Sequence, residues 1–209
     1  IGLSVDWRLE YSSISPEVQK ISQSTFKELY EMGVIYKKNA PTLYCTECQT
    51  SFAQAEKEDK EKDAIFYDLL FKTVDGKELI IATTRPELLP ACSAIFVHPN
   101  DSRFKDLVGK KVITPLGQEV EIMTDEKVEK EKGTGAVMCC TYGDETDIYW
   151  AKKYNLPEKI IFKQDGKLQK VEEIPELEGQ TIKEARKTIV AKLKNDGVVR
   201  KEEPIKHSI

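Results

Sequence analysis

The chain is poor in arginine and histidine. Of its 32 basic residues only 5 are Arg, and there are 2 His. Each Arg is therefore a position worth locating. With 36 acidic residues the net charge is −4, which excludes a polybasic nucleic-acid arm or a membrane-surface peptide but leaves room for one local basic patch. Long apolar runs are also missing. The longest uncharged stretch, Leu88 to Asn100, is interrupted by Pro90, His98 and Pro99, whereas a membrane helix needs about 20 apolar residues. No Gly-x-Ser-x-Gly occurs, and His98 and His207 are the only candidates for a histidine base, so a serine nucleophile has little to build on. The cysteines are 5, with Cys139 and Cys140 adjacent, which does not suit a secreted disulfide framework. The charged N-terminus is no signal peptide. A cytoplasmic protein is expected, and the initial Ile suggests a piece excised from a longer one.

What is present fits one large domain, or a domain plus a smaller module. Residues 16–33 have helical periodicity: Val18, Ile21, Thr25 and Leu29 form one stripe, with Phe26 and Tyr30 beside it. Ser15-Pro16 suits the start of this helix and Gly33 its end. The charged run 56–63 marks either a module boundary or a solvated turn. Beyond it the texture becomes β. Ala64 to Thr73 and Lys77 to Thr83 flank Asp75-Gly76, a hairpin signal. Further strands are expected at 91–97, 111–114, 119–123, 135–142, 159–163 and 167–171. Helices are expected at about 145–155 and at 182–195. The second opens on the capping box Thr181 to Glu184. The expected fold is α+β: a barrel-like, mostly antiparallel β core with inserted helices, preceded by a helical and Cys-pair strip. The strip covers residues 1–57 and the β domain 58–209.

Three constellations could carry chemistry. Thr83-Thr84-Arg85-Pro86-Glu87 leaves the end of an apolar strand. Its hydroxyls can bind a sugar or an ester, and Arg85 a phosphate or carboxylate. An ordinary strand end accounts for the same pattern. Gly133-Thr134-Gly135 precedes a strand that runs to Tyr142-Gly143-Asp144, where a helix opens. Asp144 and Asp147 then share its first turn, whose dipole favours their ionised form. An ionised, partly buried carboxylate can receive an ammonium group, although a helix cap and a first-turn acid need no further role. Cys45-x-x-Cys48 is half of a tetrahedral zinc site, without an evident second pair.

Taken together, Ile81 to Leu89, Phe96 to Asp101 and Gly133 to Asp147 resemble, in that order, the editing insertion of class I aminoacyl-tRNA synthetases of the valine, isoleucine and leucine group. Within the group the archaeal-type valine enzymes are most similar. The isoleucine enzymes usually carry Thr-Thr-Thr-Pro-Trp where this chain has Thr83-Thr84-Arg85-Pro86-Glu87. The flanks, Ile1 to Trp7, the 16–33 helix, Leu43 to Cys48, and Pro204 to Ile209, resemble the strips leading into and out of the insertion.

The resemblance implies hydrolysis of the ester of mischarged threonyl-tRNA(Val). A hydrophobic pocket cannot strongly reject an isostere that merely adds a hydroxyl, the known difficulty of the valine enzymes with threonine, so a second, polar pocket is needed. It further implies that Asp147 holds the substrate ammonium and that Asp144 serves the substrate hydroxyl or the attacking water. Thr83 and Thr84 would contact the ester or terminal adenosine. Arg85, Pro86 and Glu87 would hold the tRNA end, and Gly133, Thr134 and Gly135 would let the backbone approach the adenine. Editing would need no cofactor; ATP and magnesium belong to the parent enzyme, whose further cysteines could complete a zinc site with Cys45 and Cys48. The partners implied are the tRNA(Val) acceptor end and the parent synthetase in cis. A monomer that does not aminoacylate is expected. Lys132, Met138 and Gly143 depart from the bacterial members, which have an aromatic residue, Lys and His there. Other readings are an isoleucine or leucine editing domain, a non-catalytic tRNA-end binding module, or a zinc-stapled interaction module.

Overall fold

The computed structural model describes residue 2, residues 4–58 and residues 60–208. Ile1, Leu3, Asp59 and Ile209, which belong to the expected flanking strips and charged run, lie outside the described residues. The chain divides into two compact units, Ile1–Ala40 and Pro41–Ile209. The sequence-based boundary at 57/58 therefore falls inside the second unit.

The first unit is built on helix α1 (Pro16–Glu31). The Ser15 hydroxyl accepts a hydrogen bond from the Val18 amide at 3.4 Å, and Pro16 occupies a position that needs no N–H partner. The apolar stripe is present, yet the helix buries none of its residues. Ile21, Phe26 and Tyr30 are each more than half exposed.

The second unit begins with a small hairpin, β1 (Tyr44–Cys45) and β2 (Thr50–Ser51). Its main sheet is organised by β3 (Glu61–Thr73), a strand of 13 residues. One edge of β3 pairs with β4 (Glu78–Thr83) across the Asp75-Gly76 turn. Its other edge is shared: Glu61 to Leu69 pair with β9 (Val199–Ser208), while Lys72 and Thr73 pair with β6 (Lys111–Ile113). The sheet continues through β7 (Glu119–Thr124) and β5 (Ala94–Val97) to β8 (Ala136–Cys139). Every pairing is antiparallel except β5 with β7. β8 and β4, at the two ends of that order, come within 8 Å of one another, so the sheet curls almost to closure, as expected.

Strand β5 lies inside the sheet and is buried on both faces. Its alternation feeds two apolar clusters. Ile95 and Val97 join the main one, with Leu69, Phe71, Ile81 and Ile122. Ala94 and Phe96 join a smaller one, where Phe96 stacks on Trp150 at 4.3 Å between ring centroids. Trp150 belongs to α2 (Glu145–Lys153), which that stack fastens to the outer face. Helix α3 (Ile182–Asn195) turns Ala185, Ile189 and Leu193 into the main cluster. Its capping box forms as expected, with Glu184 accepting from the Thr181 amide at 2.9 Å.

Two features differ from expectation. The strands expected at 159–163 and 167–171 reduce to isolated bridges, Phe162 with Leu168 and Lys167 with Thr181. The turn between them closes, since the Lys163 amide donates to Lys167 O at 2.8 Å. Ile161, Leu168 and Val171 instead pack individually into the core. Conversely, 199–208 forms a full strand that the sequence does not announce.

Candidate active site

The first site segment is the end of β4. The Thr83 hydroxyl, nearly buried, accepts from the Arg85 amide at 3.1 Å. This fixes the backbone as it leaves the sheet. Pro86 then starts a 3-10 helix, Pro86–Ala91, whose residues are all buried. Thr84 and Arg85 remain half-buried and accessible.

The second segment is the turn from β8 into α2. The Gly143 amide donates to Cys140 O at 2.8 Å. Asp144 caps α2, its carboxylate accepting from the Asp147 amide at 2.8 Å. Asp147 is 7% exposed and accepts from the Cys140 amide at 3.2 Å. Burial first, and then the Asp144 charge, push its carboxyl up to about 7, against the pull of the Cys140 amide, Cys139 and Arg85. The helix terminus therefore does not hold this carboxylate in its ordinary range: desolvation outweighs the dipole.

Gly143 is needed for close approach. A Cβ there would lie 2.2 Å from Asp147 Oδ2 and 3.2 Å from Leu88 Cδ1. Nothing larger fits without moving the carboxylate. Leu88 belongs to the 3-10 helix, so the two segments already touch. The Arg85 guanidinium ties them directly, its Nη1 donating to the Gly143 carbonyl.

The Gly133-Thr134-Gly135 stretch sits beside the first segment. A Cβ on Gly133 would meet that of Ala82 at 2.7 Å, and one on Gly135 would meet Arg103 Nη2 at 2.4 Å. Both glycines have positive φ, so each is demanded by packing and backbone together. The Thr134 side chain makes a long bond to Ala136 O, 3.4 Å.

Glu87 is placed differently from a residue that holds a tRNA end. Its carboxylate is fully enclosed. Arg186 of α3 grips it with a fork, Nε to Oε2 at 2.8 Å and Nη2 to Oε1 at 2.7 Å. Pro86 is likewise buried. Sequence reasoning did not single out Arg186, although the scarcity of arginine was a signal for it. Lys159 was also missed: its ammonium donates to Cys92 O at 2.7 Å and its amide to the Thr141 hydroxyl at 3.0 Å, so it clamps the 3-10 segment to the end of β8. His98 makes a turn, its Nδ1 accepting from the Asn100 amide at 3.0 Å.

Cys45 and Cys48 lie at the small hairpin. The Cys48 amide donates to Cys45 Sγ at 3.3 Å. That bond and one from the Glu47 amide hold the Cys45 thiol below its usual range. Such a pair fits half of a tetrahedral metal site. Among the described residues no group of three or more metal-ligating side chains gathers anywhere.

A desolvated carboxylate, a tethered guanidinium and the Thr83 hydroxyl are thus brought together where β4 and β8 end. Residues 1–202 match the family model for class I tRNA synthetases of the isoleucine, leucine, methionine and valine group. The chain belongs to the class I tRNA synthetases. Within that family it is 49% identical over its whole length to the valine–tRNA ligase of Rickettsia typhi and 44% identical to that of Methanocaldococcus jannaschii. It spans about a quarter of the length of these relatives, 26% and 24%. Among solved structures it resembles the Agrobacterium radiobacter K84 agnB2 LeuRS, crystallised in a ternary complex with tRNA and LeuAMS. The TM-score is 0.51 at 16% identity, over 94% of this chain and 33% of that one. That likeness concerns the fold. Among the described residues of this synthetase chain, no helix is long and apolar enough to cross a membrane.

Proposed function

We propose that this chain hydrolyses the ester of threonine misattached to tRNA(Val), as the editing part of a valine–tRNA ligase. The observation that carries the proposal is Asp147: a carboxylate 7% exposed, held by the Cys140 amide, beside an arginine that leaves a strand end. A desolvated carboxylate gains more from a cationic partner than a hydrated one does. The substrate ammonium is such a partner. Pairing with it returns Asp147 to its ionised form.

Asp144 is exposed at the lip of the site and takes the threonine hydroxyl or the attacking water. Thr83 and Thr84 face the ester or the terminal adenosine, and Arg85 holds the tRNA end. Gly133, Thr134 and Gly135 line the approach of the adenine. Holding water and ester together in one orientation supplies much of the acceleration. No covalent intermediate, metal or other cofactor enters the scheme. ATP and magnesium would serve only the parent enzyme, which is also the partner in cis, and zinc at Cys45 and Cys48 would need ligands from elsewhere.

The pKa of Asp147 favours one alternative role. A carboxyl that titrates near neutrality suits a general base, so Asp147 could activate the water while Asp144 anchors the ammonium.

The test is release of threonine from threonyl-tRNA(Val) at low salt, with valyl-tRNA(Val) as control. Selective cleavage of the threonyl ester, abolished in Asp147→Ala, supports the proposal. Equal stability of both esters, with the tRNA end still bound, replaces it with a binding module. Between the two roles the pH profile decides: if Asp147 is the anchor, Asp147→Asn raises KM most; if it is the base, kcat falls and its pH dependence disappears.

A further inference from the structure

Arg186 lies 99 residues from Glu87 in sequence, on helix α3, which packs on the 3-10 segment Pro86–Ala91. It reaches the site through a two-pronged contact with the Glu87 carboxylate. Glu87 is fully buried, and a buried carboxylate must be met by donors on both oxygens. Arg186 meets both, at 2.7 and 2.8 Å. Arg85 approaches the same carboxylate only at 3.4 Å, through Nε, and directs Nη1 to the Gly143 carbonyl. The charge of Glu87 is thus already satisfied when Arg85 arrives.

We propose that Arg186 is a positioning residue for Arg85: by occupying Glu87 with its fork, it leaves the Arg85 guanidinium free to hold the Gly143 carbonyl and to face a ligand. Take the Arg186 charge away, and Arg85 is the remaining cation in contact with Glu87 among the described residues. An uncompensated buried carboxylate attracts it strongly. The guanidinium then turns inward and releases Gly143, and with it the turn that carries Asp144 and Asp147.

The ligand-facing part of this inference rests on the proposed hydrolysis, so its test has a readout independent of cleavage. The chain has 5 arginines, so Arg Nε–Hε resonances are few enough to assign singly by Arg→Lys substitution. In Arg186→Gln the Arg85 resonance is expected to shift, and KM for threonyl-tRNA(Val) to rise about tenfold, the loss of one charge-assisted hydrogen bond. In the double variant Glu87→Gln/Arg186→Gln, which removes the buried charge as well, both should return toward the wild type. In an Arg85→Ala background, Arg186→Gln should change KM no further.

An unmoved Arg85 resonance in Arg186→Gln overturns the proposal. So does an equal KM effect in both backgrounds, which would mean that Arg186 acts only through the fold. If Arg186→Gln does not fold, Arg186→Lys is measured instead: a lysine ammonium in place of the fork leaves one Glu87 oxygen short of a donor and open to Arg85, so a partial shift supports the proposal and no shift overturns it. If the wild-type chain cleaves neither ester, the functional reading fails, but the Arg85 resonance still decides the positioning.

Discussion

Asp147 illustrates how a buried carboxylate costs stability. Its carboxyl titrates near 3.8 when the chain is unfolded and near 7 when it is folded. Between those values the folded state binds a proton that the unfolded state has lost. Its contribution is therefore intact below pH 4 and falls away as pH rises to 7, by up to about 4 kcal/mol at about 1.4 kcal/mol per pKa unit. Asp147→Asn keeps the shape without the charge, and it should melt several degrees above the wild type at pH 8 and little above it at pH 4. Thermal melts at the two pH values check this. Gly143→Ala tests the neighbouring constraint. Its methyl would sit where Oδ2 of Asp147 lies, so it should cost at least tenfold in threonyl-ester cleavage with a much smaller effect on stability, read by kinetics beside a melt. Neither constraint was legible in the sequence. The spacing of Asp144 and Asp147 suggested a shared helix turn, and that turn forms, but periodicity does not report burial of a single carboxylate. Glu87 shows the same limit more strongly. Its partner is fixed by the packing of α3, which no local pattern encodes.

At the scale of elements, legibility followed the chemistry of element ends. Ser15-Pro16, Thr181 to Glu184 and Asp75-Gly76 each satisfy or shape the backbone locally, and each appears where expected. Strand β9 had no such signal. Its sequence, Val199 to Ser208, is half charged and contains Pro204, which pairs with Ile65. A proline suits a strand paired on only one side, and among the described residues β9 has β3 as its only partner. What holds β9 is the unsatisfied edge of β3, a requirement of tertiary structure. Deleting residues 199–209 should bare that edge and produce aggregation, visible as a shift to large species on size-exclusion chromatography. The α3 cap gives a milder prediction: Thr181→Ala should cost about 1 kcal/mol in chemical denaturation.

For the molecule as a whole, the carboxylates pull stability in opposite directions. Thr73 and Lys110 hold Asp75 at about 2, and Arg103 does the same for Asp101. Burial raises Asp125, but Lys153 and the Lys127 amide more than reverse it. These three contribute stability above the ordinary carboxylate range and lose it as pH falls through their lowered values. Asp147 loses its contribution on the other side. Stability should therefore crest at about pH 4–5, and a pH series of denaturation midpoints would show it; a flat profile up to pH 8 would contradict the burial of Asp147.

The pairing of Glu61 with Ser208 has a mechanical consequence. A path that enters the curled sheet at one and leaves at the other comes back to about one strand spacing, about 5 Å, from where it began. Whatever precedes Glu61 and whatever follows Ser208 would be joined to the sheet through a two-stranded ribbon, stiff along its length and easily twisted about it. Such a ribbon acts as a torsional pivot: it would let the curled sheet turn about the ribbon's axis without breaking a single hydrogen bond within the barrel.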